Sequence, residues 1–126
     1  MLVSHSASIA EGVAELVAQV AGSDVAIVAI GGGPDGTLGT DGARVLEALR
    51  SAAAGRGAVV LMDLGSSVLA VRAALAELTS EERERLAVAD APLVEGALAA
   101  GVAASTGGRP ADAARAAEEA RVASKL

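Results

Sequence analysis

The chain has 126 residues, enough for one compact domain, with a formal net charge of −6 and no Cys, Phe, Trp or Tyr. The acidic balance and the lack of aromatic rings argue against a nucleic-acid partner, which needs clustered cations and stacking platforms. Without cysteine, disulfides and thiolate chemistry are excluded. No signal peptide or membrane-length apolar run is visible, so we expect one cytoplasmic domain over residues 1–126 and no membrane partner.

The first half of the chain predicts two strands and two helices. Residues 1–4 resemble a short strand. Apolar residues then recur at helical spacing over residues 7–20, and the inner face of that helix is expected to carry Ile9, Val13, Leu16, Val17 and Val20. The apolar run 25–30 predicts a strand buried on both faces. A glycine-rich loop leads to the next helix, which Thr40 or Asp41 caps.

The second half continues this alternation. Residues 58–62 predict a third strand, and Ser66 or Ser67 is expected to cap the helix after it. The remaining elements are a solvated charged turn over 79–85, a fourth strand over 86–89, and two alanine-rich helices over about 93–106 and 110–123.

Strands that alternate with helices through long connections predict a parallel sheet with helices on both faces, an α/β three-layer sandwich. Ligands bind such sheets beyond the carboxyl ends of the strands. The candidate site is therefore the set of segments after the strands, which are Ser4–Ser6, Gly31–Thr40, Asp63–Ser66 and Asp90–Pro92.

His5 is the only histidine, and it follows the first strand and precedes a helix. A lone histidine is more often structural than catalytic. At this position, however, an anion meets backbone N–H groups and the positive end of a helix dipole. Because a histidine ring is largely neutral near pH 7 and can act as a nucleophile, the position favours a catalytic role.

Asp63 ends the third strand. If that strand lies beside the first, its carboxylate can reach the His5 ring and accept one ring N–H, which leaves the other nitrogen free to attack phosphorus. A carboxylate at this position is equally typical of a helix cap. Both interpretations stay open.

The loop contains Gly31, Gly33 and Gly36 at the G-x-G-x-x-G spacing of dinucleotide-binding enzymes. It follows the second strand rather than the first, and Pro34 stands where the helix would begin. We interpret it as a loop that offers backbone amides to a phosphoryl group, with glycines needed only for a turn as the alternative. No serine-nucleophile elbow, metal-ligand spacing or P-loop is present, so we expect neither a metal nor a cofactor.

Five ordered blocks carry a family resemblance. They are Val3-Ser4-His5-Ser6, Ile9-Ala10-Glu11-Gly12-Val13, Asp35-Gly36-x-Leu38-Gly39-Thr40, Leu61-Met62-Asp63-Leu64-Gly65-Ser66 and Ala91-Pro92-Leu93-Val94-Glu95-Gly96. Together they resemble DhaM, the phosphotransferase subunits of bacterial dihydroxyacetone kinases, which are similar to the IIA domain of the mannose-type sugar phosphotransferase system. The resemblance runs from residue 2 to about 107.

The resemblance implies a phosphorelay. The carrier protein HPr, charged from phosphoenolpyruvate, would phosphorylate His5, and His5 would rephosphorylate ADP held by the DhaL subunit, which phosphorylates dihydroxyacetone together with DhaK. The family's active histidine falls on His5 and its aspartate on Asp63. Strand order 2-1-3-4 and a homodimer are also implied. The candidate residues for binding the phosphoryl group or the partner are Ser6, Gly33, Gly36, Thr40, Gly65 and Ser66.

The chain departs from the family in two ways. Family members usually carry several more residues before the Val-Ser-His-Ser block. Some members are also fused to further phosphotransferase domains, whereas the 126 residues here hold a single domain, so we expect the donor to be a separate protein. Three alternative functions are a mannose-type component that donates to a sugar permease, a non-catalytic regulatory module, and a dinucleotide-binding enzyme. The Leu-Gly-Thr and Met-Asp-x-Gly-Ser blocks favour the kinase over the permease, and an intact His5 and Asp63 favour catalysis over regulation.

Overall fold

Short strands separated by helices form the framework of the structure, a computed structural model that describes residues 1–126. The strands are β1 (Leu2–Ser4), β2 (Ala29–Gly31), β3 (Ala58–Met62) and β4 (Leu86–Val88). The helices are α1 (Ala7–Ala21), α2 (Gly42–Ala54), α3 (Gly65–Ala76), α4 (Ser80–Glu84), α5 (Leu93–Ser105) and α6 (Pro110–Glu119), followed by a 3₁₀ turn over Ala120–Val122.

The four strands form one parallel sheet in the order β2-β1-β3-β4, so the predicted order 2-1-3-4 is confirmed. Ser4 pairs with Gly31 on one side, and Val3 pairs with Met62 on the other. β1 is therefore an inner strand, and its carboxyl end lies between the ends of β2 and β3. This position brings the residues after three strands to one edge of the sheet.

Helices cover both faces of the sheet, which confirms the three-layer sandwich. Alternate strand residues point to opposite faces, so Leu2 and Leu61 pack in one core with α1, α5 and α6. Val3 and Val60 pack in the other core with residues of α2 and α3, such as Leu49. Aliphatic side chains and methionine fill both cores, without any aromatic ring.

The inner face of α1 differs from the prediction. Its buried residues are Ala10, Val13, Val17 and Ala21, whereas Ile9, Leu16 and Val20 are exposed to 47, 46 and 55%. The packing of α5 explains the difference, because a Cβ added at Gly101 would lie 2.6 Å from Cγ1 of Val17. Such close helix packing accepts alanine along the inner face and leaves the longer side chains outside.

The second strand is shorter than the predicted run 25–30. β1 offers pairing partners only to Ala29–Gly31, and the N–H of Leu2 donates to the carbonyl of Val28 at 2.8 Å. The residues before Ala29 therefore have no strand beside them, and the side chain of Val28 is 44% exposed rather than buried.

The helix starts decide which hydroxyl groups are available at the site. Asp41 caps α2 by accepting the N–H groups of Ala43 and Arg44. α3 begins with Leu64 at the cap position and without a side-chain cap, so the prediction of a serine cap is wrong. Ser66 and Ser67 lie inside the first turn instead, where their hydroxyl groups can bind other segments.

The charged segment forms the short exposed helix α4, as expected for a solvated turn. The last α-helix ends at Glu119 rather than near residue 123, because residues 121–126 are exposed and have no core to pack against. None of the helices combines the length and the apolarity that crossing a bilayer requires.

Candidate functional site

His5 lies at the carboxyl end of the inner strand, held by the segments on both sides. Its backbone N–H donates to the two carboxylate oxygens of Asp63, each at 3.1 Å. Its carbonyl accepts the N–H of Gly39 at 2.8 Å. The segments after β2 and β3 thus fix the His5 peptide, while the side chain is half-buried.

The imidazole ring is held by a serine. Nδ1 of His5 lies 2.5 Å from Oγ of Ser66, in the first turn of α3. Nε2 makes no hydrogen bond within the chain. Ser66 Oγ also lies 3.1 Å from Oγ1 of Thr40, which ends the loop after β2. Three of the predicted site residues are therefore joined side chain to side chain.

Asp63 makes no hydrogen bond to the His5 ring, so the predicted bond is wrong. The register of β3 against β1 places the carboxylate beside the peptide of His5 instead. The carboxylate also accepts the hydroxyl of Ser4 at 2.6 Å, the N–H of Leu64 at 2.6 Å and the hydroxyl of Ser67 at 2.8 Å. The carboxylate therefore connects the end of β1 to the start of α3. This role is closer to the predicted helix cap than to the predicted partner of the ring.

These bonds change the protonation of the Asp63 carboxyl. Burial raises its pKa, but the hydrogen bonds from Ser4, Ser67, Leu64 and His5 outweigh burial and hold the pKa below its ordinary value of 3.8. The group is therefore a carboxylate at neutral pH. Five hydrogen-bond contacts occupy the oxygens of this carboxylate, so its charge orients the neighbouring donors.

The loop after β2 uses its glycines for its own conformation. The N–H of Gly33 donates to the carbonyl of Thr37 at 2.8 Å, and the N–H of Gly36 donates to the carbonyl of Gly33 at 3.0 Å. The backbone N–H groups of these two glycines, which were predicted to bind a phosphoryl group, are therefore already hydrogen-bonded within the loop. This favours the turn interpretation. Gly36 has a φ of +80°, and a Cβ at Gly31 would collide with the backbone at Ser6.

Ser6 and Gly65 mark the starts of two helices beside His5. The hydroxyl of Ser6 caps α1 by accepting the N–H of Ile9 at 3.5 Å, and the N–H of Ser6 donates to Ser4 Oγ at 3.0 Å. Gly65 is the exposed first residue of α3. Because the first N–H groups of a helix lack acceptors within the helix, both starts offer donors to an anion near His5.

The sequence did not predict that Ser4 and Ser67 bind Asp63, and one predicted segment lies elsewhere. Ser4 and Ser67 are completely buried and hold Asp63. For Ser67, its position four residues after Asp63 was the only feature of the sequence that could have indicated this contact. Asp90, at the end of the edge strand, pairs with Arg121 at 2.8 Å and does not join the network around His5. No group of three or more His, Cys, Asp or Glu side chains could hold a metal ion.

Comparison with known proteins places this geometry in context. A family model, EIIA-man, described as the PTS system fructose IIA component, matches residues 1–114. A crystal structure of a protein of unknown function superposes with a TM-score of 0.84 and 33% sequence identity, covering 94% of this chain and 90% of that one.

Three relatives are named as DhaM subunits of dihydroxyacetone kinases. The phosphoryl donor subunit DhaM of PEP-dependent dihydroxyacetone kinase from Escherichia coli K12 is 42% identical over 110 residues, which is 85% of this chain but only 23% of that protein's length. The subunit DhaM of PEP-dependent dihydroxyacetone kinase 2 from Listeria innocua is 37% identical over 81% of this chain and 82% of its own. The phosphotransferase subunit DhaM from Lactococcus lactis is 35% identical, with coverages of 79% and 76%.

Proposed function

We propose that this chain, which belongs to the EIIA-man family and within it to the DhaM proteins, carries a phosphoryl group on His5. One observation supports this more than any other. The ring of His5 is held at Nδ1 by Ser66 in the first turn of α3, Nε2 makes no hydrogen bond within the chain, and α1 begins two residues after His5. A held ring with one free nitrogen is what a nucleophilic histidine needs.

The transfer step follows from this arrangement. The ring keeps its proton on Nδ1, and the lone pair of Nε2 attacks phosphorus. A new N–P bond forms at Nε2 while the N–P bond of the donor breaks, and the donor nitrogen leaves with the electron pair. N–H groups at the helix starts stabilise the charge on the phosphoryl oxygens. Transfer to the acceptor is the same displacement, with an ADP oxygen as nucleophile and Nε2 as leaving group.

We assign the donor as phospho-HPr and the acceptor as ADP on DhaL, which works with DhaK on dihydroxyacetone. Relatives named as phosphoryl donor subunits of PEP-dependent dihydroxyacetone kinases support this assignment. Leu38 and Leu64 also support it, because they are 71 and 61% exposed and adjoin Gly39 and Asp63, the two residues that bind the His5 backbone. Exposed apolar side chains around the nucleophile suit a protein partner.

A homodimer in the cytoplasm completes this proposal. The family resemblance implies the homodimer, whereas the cytoplasmic location is an expectation from the sequence. Sedimentation equilibrium of the purified chain is expected to give twice the monomer mass of 12.2 kDa. A mass of one chain at every concentration tested would contradict the dimer and leave the transfer chemistry untouched.

The phosphorelay is tested by incubating the chain with labelled phosphoenolpyruvate, enzyme I and HPr. We expect acid-labile label on the wild-type chain and none on His5→Ala, since the chain has one histidine. Ser105→Ala, at an exposed position in the last turn of α5, is the matched control and should label normally. Labelling that persists in His5→Ala, or is missing from the wild-type chain, would contradict the carrier function.

A second stage identifies the acceptor. The labelled chain is mixed with DhaL–ADP or, separately, with a IIB component of a mannose-type permease. Label that moves to ADP supports the kinase relay. Label that moves only to the permease component would replace the acceptor that we assign.

A further inference from the structure

Hydroxyl groups link the loop after β2 to the imidazole ring. Thr40 Oγ1 lies 3.1 Å from Ser66 Oγ, and Ser66 Oγ lies 2.5 Å from His5 Nδ1. All three side chains are half-buried. From this chain of contacts we propose that Thr40 is a positioning residue, which sets the tautomer of His5 through Ser66. This role presupposes the phosphoryl transfer to Nε2 proposed above.

The direction of the hydrogen bonds carries the argument. A neutral ring that attacks through Nε2 must carry its proton on Nδ1, so Nδ1 donates and Ser66 Oγ accepts. Ser66 has one hydroxyl proton, and in this arrangement that proton is donated to Thr40 Oγ1. If Thr40 Oγ1 is missing, the proton of Ser66 can turn towards Nδ1. Nδ1 then becomes the acceptor, the ring proton moves to Nε2, and the lone pair needed for attack is lost.

The backbone holds Thr40 in the position that this role requires. Thr40 forms an isolated parallel bridge with Gly32, and the N–H of Asp41 donates to the carbonyl of Gly32 at 3.1 Å. The preceding residue, Gly39, donates its N–H to the carbonyl of His5. The loop base is thus attached to the same residue whose ring it controls, which holds the backbone of Thr40 where its hydroxyl reaches Ser66.

Three variants separate this role from a merely structural one. Thr40→Val keeps the shape of the side chain and removes the hydroxyl, and Thr40→Ser restores the hydroxyl. Thr37→Val is the matched control, because Thr37 is in the same loop and its hydroxyl binds Asp35 at 2.6 Å instead of the serine. The first measurement is the tautomer ratio of the neutral His5 ring, from its ¹⁵N chemical shifts at alkaline pH, with no partner protein present.

We expect the Nδ1-protonated form to dominate in the wild-type chain, in Thr40→Ser and in Thr37→Val, and the Nε2-protonated form to increase in Thr40→Val. The rate of phosphorylation by phospho-HPr should fall about fivefold in Thr40→Val, the factor that one neutral hydrogen bond of ordinary strength corresponds to. Thr40→Ser should recover the wild-type rate.

An unchanged tautomer ratio in Thr40→Val would overturn the proposal, and so would a slow rate in Thr40→Ser. A lowered melting temperature of Thr40→Val without a change of tautomer would have the same consequence, since it indicates a structural role alone. Failure of the carrier function is distinguishable, because the wild-type chain would then accept no phosphoryl group whatever its tautomer.

Discussion

Asp63 shows how one carboxylate can organise a site without a hydrogen bond to the His5 ring. It binds the backbone of His5, the buried hydroxyl groups of Ser4 and Ser67, and the N–H of Leu64. An asparagine at this position has one acceptor oxygen and would turn N–H groups towards donors. The His5 peptide and the first turn of α3 would then lose their common anchor.

The stability of the fold should fall in acid because of Asp63. Its pKa in the folded chain lies below the ordinary value of 3.8, so its contribution is complete above that value and is lost as the pH falls through the lowered pKa. Urea unfolding as a function of pH measures this loss. Asp63→Asn should cost about 1–3 kcal/mol at neutral pH and show a shallower decline in acid.

The matched control for that experiment is Asp24→Asn. Asp24 is exposed, and its replacement should change the free energy of unfolding by less than about 0.5 kcal/mol at neutral pH. An Asp63→Asn chain as stable as the control would show that the five contacts do not matter for folding.

At the scale of residues, the sequence predicted the position of the candidate site better than the hydrogen-bond partners of its residues. His5, Thr40, Ser66 and Asp63 follow strands, and the parallel topology brings them to one edge. Whether a ring nitrogen meets the carboxylate or the hydroxyl of Ser66 depends on strand register and on the turn at which α3 begins. Residue spacing does not encode displacements that small.

At the scale of elements, the contact between α1 and α5 tests how closely the helices pack. A methyl group added at Gly101 would lie 2.6 Å from Cγ1 of Val17, so the buried Val17 side chain or one of the two helices must shift. Gly101→Ala should lower the free energy of unfolding by about 1–3 kcal/mol, although alanine is the better helix former. Thermal or urea denaturation measures the change.

Gly12→Ala is the control for this prediction. Gly12 also lies inside a helix, but it is exposed, and no atom lies within 4 Å of its added Cβ. The substitution should therefore stabilise the chain by up to about 1 kcal/mol. Equal effects of the two substitutions would contradict the close packing at Gly101.

The elements themselves were largely predictable, and their partners were not. Helical spacing located α1, but alanine rather than isoleucine or leucine completes its inner face, because the neighbouring helix approaches closely at Gly101. An apolar run located β2, but pairing with the short β1 limits it to Ala29–Gly31. Both differences arise from a neighbour that lies far away along the chain.

At the scale of the whole molecule, stability depends on two aliphatic cores on either side of a thin sheet. Leu49 is completely buried in the core beneath α2 and α3. With no aromatic side chain nearby to fill a cavity, Leu49→Ala should cost about 2–5 kcal/mol. Leu69→Ala, at a position 68% exposed, should cost less than about 0.5 kcal/mol. Chemical denaturation of both variants checks the difference, and a small loss for Leu49→Ala would mean that the core can collapse around the missing atoms.

The fold class followed from the alternation of strands and helices, whereas the strand order came from the family resemblance. Alternation predicts a parallel sheet, but it does not state which strand lies in the middle. The order matters for the candidate site, because only an inner β1 places His5 between two neighbouring segments.

The bond from Gly39 to the carbonyl of His5 divides the loop after β2 into two parts with different rates of amide hydrogen exchange. The exposed tip, from Asp35 to Leu38, can open by local fluctuation, and its solvent-facing amides should exchange quickly. The amide of Gly39 should exchange slowly, since its release requires the loop base to separate from the end of β1. The tip can therefore change its shape quickly, while the base keeps His5 in place.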